Sequence, residues 1–398
     1  MDIDPAELTA ALSQIPLFRE LQRLLMTQTG PVNWEIAGQI AHAVAQAGGS
    51  HGGPARPGPE DQAAFEEACR LAEMRVGELT GLETPGLITK VEVLDRVSWA
   101  QINLEAFRPF VERLAAGLRS QFAAPGQQGA EGTEGPEGIE GVPNLPAAAV
   151  LGVVGPLIFG LELGFLVGFL SRRVLGQYDL CLPRGEPGRL HFVFPNIAEM
   201  QGELELDPRQ FRMWLALHEV THQLEFASIP WVRGHFVGLV ERFIDAAEID
   251  SSEAISRLQS LGDPEQLGRI MQNPDELLPM LITPPQQEVA REIETLMAVL
   301  EGYAEWVMDR IGSEILPEFS KTREGVNRRR AERTSVERLL EGLLGIDLKP
   351  AQYRAGERFV RAVAAADQLP KLWEGPEALP SPAELGEPAK WLSRVAFS

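Results

Sequence analysis

His218, Glu219 and His222 form an HExxH sequence within a predicted helix that covers residues 208–226. Positions four apart on an α-helix share one face, so both imidazoles can reach a single metal ion. The carboxylate of Glu219, on the neighbouring flank, can reach a water molecule bound to that ion. Zinc with three protein ligands and one open position lowers the pKa of its water to about 7. The pattern therefore predicts a zinc site that activates water, with Glu219 as the general base.

The surroundings of this motif favour the metal site over its structural alternative. The motif uses two of only six histidines in the chain. Its neighbours on the helix are apolar: Leu215, Leu217, Val220 and Leu224. The alternative is a pair of core histidines with satisfied hydrogen bonds beside a surface glutamate. We favour the metal site, because burial of Glu219 in so apolar a helix would otherwise be costly.

The third ligand has two candidates in the sequence. A metzincin would carry histidine six residues after the second motif histidine, but Ser228 occupies that position and excludes the class. A glutamate from a later helix is the alternative, and Glu241 and Glu301 are each followed four residues later by a second acid, Asp245 and Glu305. In each pair the first acid would bind zinc, and the second would orient a ligand histidine. The residues alone do not choose between the two pairs.

A family resemblance extends over most of the chain. It is carried by residues 32–34, 97–103, 174–179, 194–196, 218–226, 230–231, 300–309 and 352–359. In these stretches the chain resembles the zincin-like metallopeptidase type 2 family, some of whose actinobacterial members are labelled as associated with biosynthesis of a deazaflavin coenzyme. The resemblance implies a zincin-like metalloprotease core, Glu301 as the third zinc ligand and Glu305 as the residue that orients a ligand histidine. Many relatives have histidine where this chain has Tyr303, which would then serve as a hydroxyl donor to the oxyanion.

The function predicted from these residues is that of a cytoplasmic, zinc-dependent peptidase acting on a peptide or protein. His235 is predicted to have a structural role or to lie at the rim of its cleft. The alternative is a non-catalytic protein that keeps the zincin fold as a structural or partner-binding module. Glu219 argues against that alternative, since a purely structural zinc site has no use for a base.

The amino-acid composition of the chain argues against several other kinds of protein. The chain of 398 residues carries 36 basic and 57 acidic residues, a formal net charge of −21. Such a surface repels phosphate backbones and anionic lipids, so nucleic-acid and membrane partners are not expected. Cys69 and Cys181 stand alone, which indicates no disulfide framework and favours a reducing compartment. No signal peptide is predicted at the N-terminus.

The elements that must position the motif are predicted to be mainly α-helical, with a small β-sheet beside the HExxH helix. We predict three regions: an N-terminal helical region over 1–122, a Gly-rich linker over 123–146, and a zincin-like catalytic region over 147–398. Residues 149–170 are apolar apart from Glu162, and we expect a buried helix there rather than a membrane span, because a carboxylate within a bilayer is expensive. Periodicity also predicts helices over 61–80, 91–122, 237–261, 286–311, 333–344 and 351–366, and a strand over 190–195.

Overall fold

The computed structural model describes residues 30–47, 56–83, 90–123, 147–178, 188–246, 284–331 and 350–396. The predicted helix over 333–344, nearly all of the predicted linker and the second half of the predicted helix over 237–261 lie outside these residues. In chain order the described α-helices are α1 (Trp34–Gln46), α2 (Pro59–Thr80), α3 (Arg96–Ala123), α4 (Ala147–Leu170), α5 (Phe194–Glu203), α6 (Pro208–Ser228), α7 (Val232–Asp245), α8 (Pro284–Ile315), α9 (Phe319–Ala331), α10 (Pro350–Ala365), α11 (Leu369–Leu372), α12 (Pro382–Gly386) and α13 (Pro388–Val395). A short 3₁₀ helix covers Pro376–Ala378. The mainly helical fold class is confirmed.

A small sheet accompanies these helices. Its strands are β1 (Lys90–Leu94), β2 (Gly176–Tyr178) and β3 (Arg189–Val193), in the order β1-β3-β2. β1 runs parallel to β3, and β2 runs antiparallel to it. The predicted helix over 91–122 was therefore wrong at its start, because the alternating valines of β1 pair with β3 before the helix begins.

The helix α6 lies at the centre of the main hydrophobic core. Every side chain from Met213 to Phe226 is buried, because α2, α7, α8, α9 and two strands of the sheet all pack against this helix. This stretch nevertheless contains six polar residues: His218, Glu219, Thr221, His222, Gln223 and Glu225. Each of these polar side chains is therefore placed in a buried setting and must find a partner there.

Segments from both sides of the predicted linker contribute to this core. Phe65 of α2 stacks on Phe192 of β3 with ring centroids 4.3 Å apart, and β1 pairs with β3 along its whole length. The three-region division itself stays a prediction, because residues 124–146 lie outside the described part of the chain.

The apolar helix α4 packs against α1 and α3. Gly160, Gly164 and Gly168 form the face that meets α1, and a Cβ at Gly164 would lie 2.5 Å from the carbonyl oxygen of Ala37. The expectation of a buried helix is thus met on this face only, because Leu161 and Phe165 of α4 are exposed. In the described residues, no helix combines the length and the apolar character needed to cross a membrane.

Candidate metal centre

The helix α6 brings the two motif histidines to one place. Asp207 caps its first turn by accepting hydrogen bonds from the backbone N–H groups of Arg209 and Gln210. One turn separates His218 from His222, and their rings meet edge to face with centroids 4.7 Å apart. Both imidazoles are buried. Their shared face is therefore positioned by the core rather than by a surface loop.

Glu301, on the middle of α8, lies against this pair. Its carboxylate oxygens are 3.9 Å from Nε2 of His218 and 3.6 Å from Nε2 of His222. One ligand atom from each of the three residues lies within 4.8 Å of the others. Donors at tetrahedral angles around one zinc, each about 2.1 Å from it, are roughly 3.4 Å apart. The two distances between a histidine nitrogen and a carboxylate oxygen exceed that value by half an ångström or less.

An unsatisfied ring nitrogen of His222 is a second sign that these residues fit a metal ion. Its Nε2 atom is buried and makes no hydrogen bond within the described residues. Buried ring nitrogens are normally satisfied. A cation held between Nε2 of His222 and the carboxylate of Glu301 would satisfy this nitrogen and balance the negative charge of the half-buried carboxylate. Two imidazoles and one carboxylate are also a donor set that zinc accepts.

Glu241, the other candidate for the third ligand, does not lie beside the two motif histidines. Glu241 is an exposed residue of α7, and the acid one turn after it, Asp245, pairs with Arg113 at 2.7 Å. Neither belongs to the three-residue group that could hold a metal ion in the described part of the chain. The structure thus brings together the ligand set that includes Glu301 and leaves Glu241 outside it.

Glu225 contacts His222, one of the candidate metal ligands, and was missed by the sequence analysis. Nδ1 of His222 lies 2.8 Å from Oε2 of Glu225, which is completely buried. Burial raises the pKa of Glu225 to about 7, although the hydrogen bond with His222 acts to lower it. The i,i+3 spacing from His222 was the available signal, because it puts Glu225 on the face of the motif.

Glu219 is buried beside the strand β2. The backbone N–H of Tyr178 donates a hydrogen bond of 3.1 Å to Oε2 of Glu219. The carboxylate also lies directly against Gly176, where a Cβ would come within 2.6 Å of its Cγ and Oε1 atoms. Glycine at this position therefore lets the strand approach the helix closely enough to hold the carboxylate.

A cavity of about 250 Å³ reaches the motif. His218, Glu219, Gly176 and Trp214 contribute to its wall. The ring of Trp214 is nearly parallel to that of His218, with an interplanar angle of 5° and centroids 6.1 Å apart. Glu219, the candidate base, and His218, a candidate ligand, thus border a cavity large enough for a small molecule or for part of a larger one.

Three other predicted site residues have different surroundings. Glu305, one turn after Glu301, is partly exposed, and its orienting role stays a prediction. Tyr303 is buried, packs against Trp306 and Trp373, and does not line the cavity. His235, on α7, packs edge to face against Trp231 and also does not line the cavity. The structure therefore adds no support for Tyr303 as an oxyanion donor or for His235 at the cleft.

Comparisons with known proteins extend over nearly the whole chain. The family profile described as zincin-like metallopeptidase matches residues 32–392. Among solved structures, the chain is similar to a protein from Chloroflexus aurantiacus whose crystal structure is provisionally described as that of a hydrolase with a novel fold. The two share 28% sequence identity with a TM-score of 0.66, and the match covers 92% of this chain and 99% of the other. No curated protein matches the chain.

Proposed function

The chain belongs to the zincin-like metallopeptidase family, and from that premise we propose that it is a zinc-dependent peptidase with Glu219 as general base. One observation carries the proposal. His218, His222 and Glu301 place three ligand atoms within 4.8 Å of one another, and Glu219 lines a cavity together with one of them. A ligand set beside a buried base and a cavity is suited to hydrolysis rather than to a closed structural site.

His218, His222 and Glu301 would hold the zinc ion. When bound, zinc polarises a substrate carbonyl and makes a nearby water more acidic. Glu219 takes a proton from the water as its oxygen forms a bond to the carbonyl carbon. The same carboxylate then delivers that proton to the leaving nitrogen as the carbon–nitrogen bond breaks. The Tyr178 N–H and the close contact with Gly176 keep the Glu219 carboxylate in place for both transfers.

The proposed substrate is a cytoplasmic peptide or protein. The cavity of about 250 Å³ is large enough for one or two side chains, which suits recognition of a short part of an extended chain. The membership of a metallopeptidase family supports an amide as the bond that is cleaved. No observation among the described residues favours a non-catalytic role over this one.

The test is a comparison of the zinc-loaded wild type with Glu219→Gln on a library of short peptides read by mass spectrometry. Glutamine keeps the size of the side chain but cannot take the proton, so we expect a rate loss of roughly 100-fold or more with zinc content unchanged. Glu241→Gln is the matched control, because Glu241 is an exposed acid on a different helix, and it should cleave like the wild type. A zinc-loaded wild type that cleaves no peptide, or a Glu219→Gln variant that is fully active, would refute the proposal.

A further inference from the structure

The strand β2, which contacts the Glu219 carboxylate, is short and lies at the edge of the described sheet. It has three residues, and its partner strand β3 lies on one side of it. A strand of this length at an edge gains few backbone hydrogen bonds from its sheet. Yet the Tyr178 N–H and Gly176 must keep a fixed place if Glu219 is to stay aligned with a substrate. Any further anchor of β2 therefore bears on the position of the base.

A pair of side-chain amides provides such an anchor. Nε2 of Gln177, the middle residue of β2, donates a hydrogen bond of 3.1 Å to Oδ1 of Asn103 on α3. Nδ2 of Asn103 donates in return to Oε1 of Gln177 at 3.4 Å. Asn103 is buried, and hydrogen bonds between groups shielded from water hold their partners more firmly than exposed ones. The amide pair thus ties β2 to α3.

The amide pair and the base lie on opposite faces of β2. Successive side chains of a strand point to opposite faces. Gly176 lies against Glu219, and the ring of Tyr178 lies 6.1 Å from that of Phe226, so both residues face α6. Gln177, between them, reaches α3 on the other face. The pair therefore holds β2 from behind, directly opposite the two contacts that the strand makes with Glu219.

The α3 side of the amide pair is itself fixed. Nδ2 of Asn103 also donates a hydrogen bond of 2.9 Å to the carbonyl oxygen of Trp99, one turn earlier. Trp99 is buried in a second hydrophobic cluster, together with Ala37 of α1 and Val193 at the end of β3. Asn103 consequently belongs to a packed part of the protein, and it can transmit that rigidity to β2.

We infer that Asn103 is a positioning residue for the base, because through Gln177 it holds β2 against α6 and keeps the Glu219 carboxylate aligned. This inference rests on the proposed function and assigns a further part of that same site. Neither Asn103 nor Gln177 lines the cavity. Loss of the pair should therefore weaken the proton transfers and leave both the zinc ligands and the substrate contacts in place.

The first test is amide hydrogen exchange at Tyr178 in the metal-free full chain, followed by NMR. Asn103→Leu and Gln177→Met keep the approximate volume of each side chain and remove the hydrogen bonds of the pair. We expect exchange of the Tyr178 N–H to become roughly tenfold faster in each variant, since two hydrogen bonds that restrain β2 are lost. The double variant should match the single ones, because each amide acts through the other.

The second test is the steady-state kinetics of the zinc-loaded variants on a peptide that the wild type cleaves. We expect kcat to fall by roughly tenfold with KM and zinc content unchanged, as when an interaction that matters only in the transition state is weakened. A loss of folded protein would not produce a normal zinc content together with this split between kcat and KM.

Gln62→Met is the matched control. The Gln62 amide holds β1 of the same sheet, through a hydrogen bond of 2.7 Å to the Val91 carbonyl oxygen and one of 3.0 Å from the Val93 N–H. Its loss should lower the stability to urea about as much, without a change in Tyr178 exchange or in kcat. Unchanged Tyr178 exchange, or an unchanged kcat, in both single variants overturns the inference alone. A zinc-loaded wild type that cleaves no peptide refutes the proposed function, and the inference falls with it.

Discussion

Nδ1 of His222 lies 2.8 Å from Oε2 of Glu225, one turn further along the same helix. This contact fixes the orientation of the imidazole and leaves its other nitrogen, Nε2, facing Glu301 at 3.6 Å. A histidine that gives Nδ1–H to a carboxylate is a stronger donor to a metal through Nε2. We therefore expect Glu225 to support the proposed metal centre without being one of its ligands.

The first prediction concerns this contact. Replacement of Glu225 by alanine removes the acceptor that orients His222, and we expect the affinity for zinc to fall by roughly 10- to 100-fold. Glu225→Gln should lose less affinity, because its amide oxygen can still accept the Nδ1–H. Competition for zinc against a fluorescent chelator measures both variants. If Glu225→Ala binds zinc as tightly as the wild type, the contact has no part in the metal site.

The second prediction concerns the contact between β2 and Glu219. A side chain at residue 176 would meet the Glu219 carboxylate at 2.6 Å. Gly176→Ala should therefore displace the base and lower the rate of hydrolysis by roughly 100-fold, as loss of general-base catalysis would, while zinc content stays at the wild-type level.

Gly238→Ala is the matched control for that experiment. A Cβ at Gly238, a helical position of α7, meets nothing within 4 Å, so the variant should keep its activity and gain up to about 1 kcal/mol of stability. Loss of activity in both variants would mean that the effect at Gly176 is not specific to Glu219.

The third prediction concerns an ion pair that joins β1 to β3. Oε2 of Glu92 lies 3.2 Å from Nε2 of His191, and its other oxygen contacts Lys90 and Arg189. Burial acts to raise the pKa of Glu92, but the hydrogen bond to Lys90 and the nearby positive charges hold it below its ordinary value of 4.5. The carboxylate therefore stabilises the fold fully above that value, and the stabilisation is lost as the pH falls through the lower folded-state pKa.

Glu92→Gln tests this pH dependence by urea unfolding at a series of pH values between 7 and 3. At pH 7 the variant should have a free energy of unfolding about 1–3 kcal/mol below that of the wild type, since a charged acceptor for buried His191 is lost. The difference should shrink as the pH falls below 4.5. A difference that stays constant over the whole series would contradict the assignment to the charge of Glu92.

The sequence predicted the motif helix well because all of its signals are local. The cap at Asp207 and the spaced apolar residues between Leu215 and Leu224 both act within α6, and the observed helix ends at Ser228, two residues beyond the prediction. Residues 91–94 were assigned to a helix because their pairing with β3 depends on a segment almost a hundred residues away. The strand predicted over 190–195 covers Arg189–Val193, and it ends two residues early for a local reason, since Phe194 and Pro195 form the first turn of α5.

The choice of the third candidate zinc ligand also depends on contacts between residues that are distant in the sequence. Spacing could not choose between Glu241 and Glu301, because that choice depends on which helix packs beside α6 at the motif. Only the resemblance favoured Glu301, and the packing of α8 against α6 then placed it beside both histidines.

The central claim is that His218, His222 and Glu301 form a zinc site, and metal content per chain tests it most directly. Wild type, Glu301→Ala and Glu241→Ala should be loaded with zinc, dialysed and measured by elemental analysis. We predict about one zinc per chain in the wild type and in Glu241→Ala, as expected for a single three-ligand site, and a loss of most of it in Glu301→Ala. Retention of zinc by Glu301→Ala, or no zinc in the loaded wild type, would contradict the claim.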